Sequence, residues 1–170
     1  MGVTAPASAR VSGWRWLPLA AAIAIADQLS KAWIEAHFSL YETFTVIPVL
    51  EITRLHNVGA AFSLLADQSG WQRWFFTALA IVVSVVLVAW LRRLDGRAQG
   101  WLAAALALIL GGAIGNATDR LRLGYVIDFV HAHWGGAYFP AFNVADSAIT
   151  IGAALLLLDA WRDSRRRGAR

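Results

Sequence analysis

Apolar residues gather into four long stretches, and the polar residues inside and between them are unevenly placed. The first stretch runs from residue 14 to about 34 and is broken by Asp27 and Lys31. These two stand four apart on one helical face, where they can pair. Arg10 and Arg15 followed by LPLAAAIAIA also resemble a signal peptide, with Ala24-Ile25-Ala26 as its cleavage site. Because apolar character resumes as far as Ile34, the expectation is a retained helix whose Asp27 and Lys31 face the protein interior. Residues 74–91 form 18 positions without a charge, enough to cross about 30 Å of hydrocarbon with their flanks. A third stretch of 21 uncharged residues lies between Arg97 and Asp119. The fourth runs from about 142 to 161, but only the 12 residues between Asp146 and Asp159 are uncharged, which puts Asp146 within or at the edge of the bilayer. The pattern predicts spans over about 14–36, 71–91, 99–118 and 141–161 in a single domain, 14–161. A disordered segment 1–13 precedes it and a basic tail 162–170 follows.

Between the first two spans, TFTVIPVLEITRL is rich in β-branched residues and partly alternates, which predicts two or three short strands within about 38–66. Asn57-Val58-Gly59 is a turn signal. Residues 60–66 (AAFSLLA) are suited to a short helix in the membrane interface. The segment between the third and fourth spans, rich in aromatics and glycine, reads as a loop. The nine tryptophans fall at span ends or in that loop, as an aromatic belt would place them.

Composition agrees with a membrane protein. The chain of 170 residues is 58% hydrophobic and 15% charged, against about 25% charged in soluble domains. A pI of about 10.3 could point to nucleic acid, but the charge positions argue against it. Ten of the 15 basic residues are Arg10, Arg15, Arg92, Arg93, Arg97, Arg162, Arg165, Arg166, Arg167 and Arg170. They mark the start, one short loop and the end, which is the positive-inside pattern and places both termini in the cytoplasm. The strand-forming segment and the acid-rich loop then share the opposite face. Cysteine is absent, so disulfides, Cys-based metal sites and a Cys nucleophile are excluded.

Candidate chemistry narrows to carboxylates. Gly-x-Ser-x-Gly and His-Glu-x-x-His motifs are absent. His131 and His133 stand near Asp128, but histidines two apart do not share a helical face, so they read as interfacial loop residues rather than metal ligands. Asp128 lies in Val126-Ile127-Asp128-Phe129, and Asp146 lies at the mouth of the fourth span. The intervening loop can bring them together. Two close carboxylates share a proton, and one can then act as base on water while the other acts as acid. The plainer alternative is that each acid pairs with an arginine or caps a helix. Asn116, Asp119 and Arg120 share one helical face, and Asp119 is expected to pair with Arg120 or Arg122. Gly111 and Gly115 form a Gly-x-x-x-Gly suited to close helix approach.

Five segments, in this order, resemble the lipoprotein signal peptidase (signal peptidase II) family of bacteria: Asp27-Gln28-Leu29-Ser30-Lys31; Asn57-Val58-Gly59-Ala60-Ala61-Phe62; the run from Gly111 to Arg120; Val126-Ile127-Asp128-Phe129; and Phe142-Asn143-Val144-Ala145-Asp146. The resemblance covers about 14–161. It implies an all-α membrane protein of four transmembrane helices with a small periplasmic β-cradle and an interfacial helix. It implies an inner-membrane aspartyl endopeptidase that cuts prolipoproteins before a diacylglyceryl-modified cysteine, using no metal or other cofactor, and that is inhibited by globomycin. Asp128 and Asp146 fall on the family's catalytic dyad. Asn57, Gly59, Asn116, Asp119, Arg120 and Asn143 match supporting or substrate-contacting positions, and Asp27 and Lys31 match a polar pair in the first span. The expected partners are the prolipoprotein and the lipid bilayer, with no nucleic acid, and the expected state is a monomer. Two other readings stay open on the residues alone: a small proton-coupled carrier, which would spread acids through the membrane depth, and an assembly factor whose polar residues only bind partner helices.

Overall fold

A computed structural model describes residues 11–59 and 70–168. The interfacial helix expected over residues 60–66 therefore lies outside the described residues, as do residues 1–10. Four long helices form the body: α1 (Leu17–His37), α2 (Trp71–Arg93), α3 (Gly100–Arg122) and α4 (Val144–Gly168), with a 3-10 turn (Gly13–Trp16) leading into α1. Four strands, β1 (Thr43–Ile47), β2 (Leu50–Asn57), β3 (Val126–Trp134) and β4 (Ala137–Tyr138), make one antiparallel sheet in the order β1-β2-β3-β4. Among the described residues, three helices, α2, α3 and α4, are long and apolar enough to cross a membrane. α1 has similar length but carries Asp27, Lys31 and Glu35. It runs unbroken through Ala24-Ile25-Ala26.

α3 is the axis of the bundle. Its small residues allow the other helices to approach closely, which is how packing is gained where water does not drive it. A Cβ on Gly111 would meet the Ala20 carbonyl oxygen of α1 at 2.6 Å, and one on Gly112 would collide with the Ala145 carbonyl of α4. At Gly115 the neighbour is the Asp27 carboxylate. Ala20, Leu87, Leu91, Leu94, Ala103, Leu106, Ala107 and Leu110 form the main core. Ile34, Ile127 and Phe129 form a second cluster that ties the end of α1 to β3. The outward faces of α2 and α4 leave Val82, Val85, Val86 and Leu157 exposed, as lipid-facing helices do.

Three features differ from expectation. The segment after α3 is not a loop but begins with β3, paired to β2 with Leu55 opposite Asp128 and Asn57 opposite Val126. Val126, Ile127, Asp128 and Phe129 are all buried, so no apolar-polar alternation announced a strand. α4 continues through the basic tail to Gly168, where Arg165, Arg166 and Arg167 suit the negative end of its dipole. Residues 11–13, expected to be disordered, lace onto the α2–α3 connection. The Gly96 N–H donates to Val11 O (2.7 Å), the Gly13 N–H donates to Leu94 O (3.1 Å), and Ser12 bridges Asp95. Gly13 permits this because its bare Cα lets the Leu91 carbonyl come close.

Candidate active site

The N-terminus of α4 is built by a capping box. Asn143 is the residue before the helix, and its Oδ1 accepts from the Asp146 N–H at 2.9 Å. In return the Asp146 Oδ2 accepts from the Asn143 N–H at 3.3 Å. Each side chain satisfies a backbone donor that the helix cannot. One further donor, the Ala145 N–H, is taken by Asp27 Oδ1 of α1 at 2.9 Å. The capping role weighed against chemistry for Asp146 is therefore real, and it still leaves the Asp146 Oδ1, which accepts from Asn116 Nδ2 at 2.8 Å.

β3 brings Asp128 to the same place. Asn143 Nδ2 donates to Asp128 Oδ1 at 2.7 Å, so one asparagine touches both carboxylates. Asn57, at the end of β2, donates through Nδ2 to Asp128 Oδ2 at 2.9 Å. Its Oδ1 accepts from the Gly59 N–H at 3.0 Å, an Asx-type turn that places Gly59. Asp128 is 3% exposed. Burial, and then the charge of Asp146, push its carboxyl up to about 7, against the opposing hydrogen bonds from Asn57 and Asn143. A cavity of about 230 Å³ opens over Asp128, with Tyr41, Leu55, Asn57 and Pro140 in its walls.

Behind the pair lies a buried ion triad. Lys31 Nζ stands 2.8 Å from Asp27 Oδ2 and 2.8 Å from Asp119 Oδ2, and it donates to Asn116 Oδ1 at 3.0 Å. The pairing expected of Asp27 with Lys31 is present. The pairing expected of Asp119 with arginine is not. Asp119 faces Lys31 and also accepts from the Ile127 N–H at 3.3 Å. Arg120 instead donates from Nη2 to Gly59 O at 2.9 Å, and Arg122 donates to Gln28 Oε1 at 3.3 Å. The physical reason is burial: Asp119 is 2% exposed and turns into the bundle, where the short reach to Lys31 is available. Adjacent arginines on its own helix point elsewhere. Sequence reasoning gave Gln28 no role, yet its Nε2 reaches Asp119 Oδ1 (2.8 Å) and Gly115 O (3.2 Å). Its amide beside Asp27, in a stretch otherwise apolar on either side, was the available signal.

His131 and His133 share one face after all, because they lie on a strand whose period is two. They turn to Glu51, at 3.9 and 3.5 Å, and pack on Tyr138. Among the described residues, no group of three His, Cys, Asp or Glu is placed to hold a metal ion.

The fold and the site together define a helical membrane protein with two aspartates joined through one asparagine at the end of its bundle. Its relatives narrow this class. The sequence model of the Signal peptidase (SPase) II family matches residues 19–162. A lipoprotein signal peptidase from Pseudomonas aeruginosa is 55% identical over 152 residues, 88% of this chain and 89% of that protein. One from Pseudomonas putida is 51% identical over 162 residues, 94% of each. Two solved structures of bacterial membrane enzymes share the fold. One is 34% identical with a TM-score of 0.79, covering 88% of this chain and 89% of the other, and the second is 33% identical with a TM-score of 0.75, covering 88% and 94%. The chain belongs to the signal peptidase II family.

Proposed function

We propose that this chain is a membrane-embedded aspartyl endopeptidase. It removes the signal peptide from diacylglyceryl-modified prolipoproteins by cutting before the lipidated cysteine. The observation that carries this reading is the Asn143 bridge, whose side-chain amide donates to Asp128 and whose backbone N–H donates to Asp146. In the reaction, the ionised carboxylate takes a proton from water as the water oxygen attacks the scissile carbonyl carbon. The protonated carboxyl donates to the carbonyl oxygen, and a proton passes to the amine as the C–N bond breaks. Asp128, with its carboxyl raised to about 7, brings the proton at neutral pH. The amides of Asn57, Asn116 and Asn143 hold both acids in place, and Arg120 fixes the turn at Gly59.

On this reading α1 is a fourth span whose polar residues face inward, both termini are cytoplasmic, and the sheet and the acids lie at the periplasmic side of the inner membrane. A substrate anchored by its lipid arrives sideways in the bilayer, so acids at the bundle end meet it there. Globomycin competes at the same place, and the monomer suffices. A proton-coupled carrier needs acids spread through the membrane depth. Here Asp27 is linked through Lys31 to Asp119, and so joins the same cluster as the pair.

The test is cleavage of a diacylglyceryl-modified prolipoprotein by the purified chain, with and without globomycin. Asp128→Asn and Asp146→Asn are each expected to lower turnover by about 10²–10⁴-fold while helicity is unchanged. Full cleavage by either variant refutes the proposal.

A further inference from the structure

Two sizeable grooves lie far from the aspartates. One of about 760 Å³ runs along α2 between Val85, Val88, Ala89 and the indole of Trp14, with Arg92 and Arg93 at its mouth. A second, of about 540 Å³, adjoins it around Val86, Trp90 and Leu94. Both volumes fall within the range of small-molecule clefts, about 300–1,000 Å³. They sit at the C-terminal end of α2. α3 starts from that end and, after 23 residues, finishes beside the aspartates, about 34 Å away at 1.5 Å per residue. The groove therefore faces the membrane leaflet opposite to the acids.

The groove is built rather than incidental. The Trp14 Nε1–H donates to Val88 O at 3.3 Å, which holds the indole against α2. The Arg92 guanidinium stands 5.7 Å from the centre of that ring, a cation–π contact that keeps the charge over the groove mouth. The 3-10 turn carrying Trp14 is in turn fixed by the bonds of Gly13 and Gly96 to their neighbours across the α2–α3 connection. Val85, Val86 and Trp14 remain exposed. An apolar trough with Arg92 and Arg93 in its lining matches an acyl chain ending in an anionic phosphate headgroup.

We propose that this groove binds an anionic phospholipid of the cytoplasmic leaflet, its acyl chain along Val85, Val88 and Ala89 and its phosphate between Arg92 and Arg93. The proposal takes the side of the membrane from the topology proposed above but nothing from the protease chemistry, so lipid binding and cleavage can each fail alone.

The test is native mass spectrometry of the detergent-purified full chain, mixed with equal amounts of phosphatidylglycerol and phosphatidylcholine of the same acyl chains. Preferential retention of one phosphatidylglycerol is expected, undisturbed by millimolar inorganic phosphate. Each arginine near an anionic lipid contributes about fivefold, so Arg92→Gln with Arg93→Gln lowers retention about thirtyfold. Arg165→Gln with Arg166→Gln, on α4, leaves it unchanged. Ala89→Trp, which fills the trough and keeps both charges, lowers it as well, so the result does not depend on one variant folding. Equal retention of the two lipids overturns the proposal, as does displacement by inorganic phosphate alone. A chain dimer that the groove variants dissociate would assign the groove to a second copy and overturn it too.

Discussion

Replacing Asp128 by asparagine separates the charge of the site from its shape. The native state holds the Asp128 proton up to about 7 because of burial and the neighbouring charge of Asp146, whereas an ordinary aspartate releases it near 3.8. The folded chain therefore binds this proton more tightly than the unfolded chain, and stability falls as pH rises through that window. Each pH unit in the window is worth about 1.4 kcal/mol, so the native state gives up about 4 kcal/mol by pH 8. Asparagine abolishes this titration but has one acceptor where Asp128 offers two, to Asn57 at 2.9 Å and Asn143 at 2.7 Å. The lost bond costs about 1 kcal/mol. The variant is thus expected to be less stable by about 1 kcal/mol below pH 4 and more stable by about 3 kcal/mol at pH 8. The assay is reversible unfolding in mixed detergent micelles, followed by helicity at pH 4, 6 and 8. The difference between the two proteins is the quantity of interest, since other carboxylates titrate in both. A difference that is the same at all three pH values refutes the reasoning.

On the proposed mechanism the same proton sets the basic limb of activity: kcat/KM for prolipoprotein cleavage is expected to fall about tenfold per pH unit above about 7, and a flat profile to pH 9 contradicts it. Lys31→Met strands Asp27 and Asp119, which are 0% and 2% exposed, and is expected to cost about 3–5 kcal/mol in the same unfolding assay. Adding Asp119→Asn recovers part of this, whereas costs that simply add show that the triad is not coupled. Gly112→Ala drives a methyl into the Ala145 carbonyl and is expected to cost about 1–3 kcal/mol and to reduce turnover by shifting the start of α4. Gly168→Ala, with open space around it, is the control and stays within about 0.5 kcal/mol.

Much of this architecture was legible because membranes impose long apolar periods. α2 and α3 stand out as uncharged runs, and the interruptions at Asp27 and Lys31 follow from the cost of unpaired charge in such a run. The spacing of Asn143 and Asp146 likewise carries the capping box. Two parts were not legible. β3 is buried on both faces where it begins, so it lacks the alternation that identifies a strand, and Asp128 consequently read as a loop residue. The partner of Asp119 is Lys31, 88 positions away by number. Local spacing favours adjacent arginines, and only the packing of α1 on α3 through Gly111 and Gly115 decides otherwise.

That packing also explains why three asparagines stand where cations would be stronger partners. Lys31 lies close enough to reach the site, yet its ammonium ends on Asp27, Asp119 and Asn116 Oδ1. Asn116 passes the contact on as a neutral donor to Asp146, and Asn143 and Asn57 do the same for Asp128. A guanidinium or ammonium bonded directly to Asp128 would favour its charged form and release its proton well below pH 7. Amides fix the geometry of the two carboxylates without neutralising them. The ion triad anchors Asn116 one layer back, and Asn116 Oδ1 in turn accepts from Asn143, while Asp27 also holds the first turn of α4. The result is two layers in one buried site: ion pairs around Lys31 behind, and in front an Asp128 carboxyl bonded only to neutral amides.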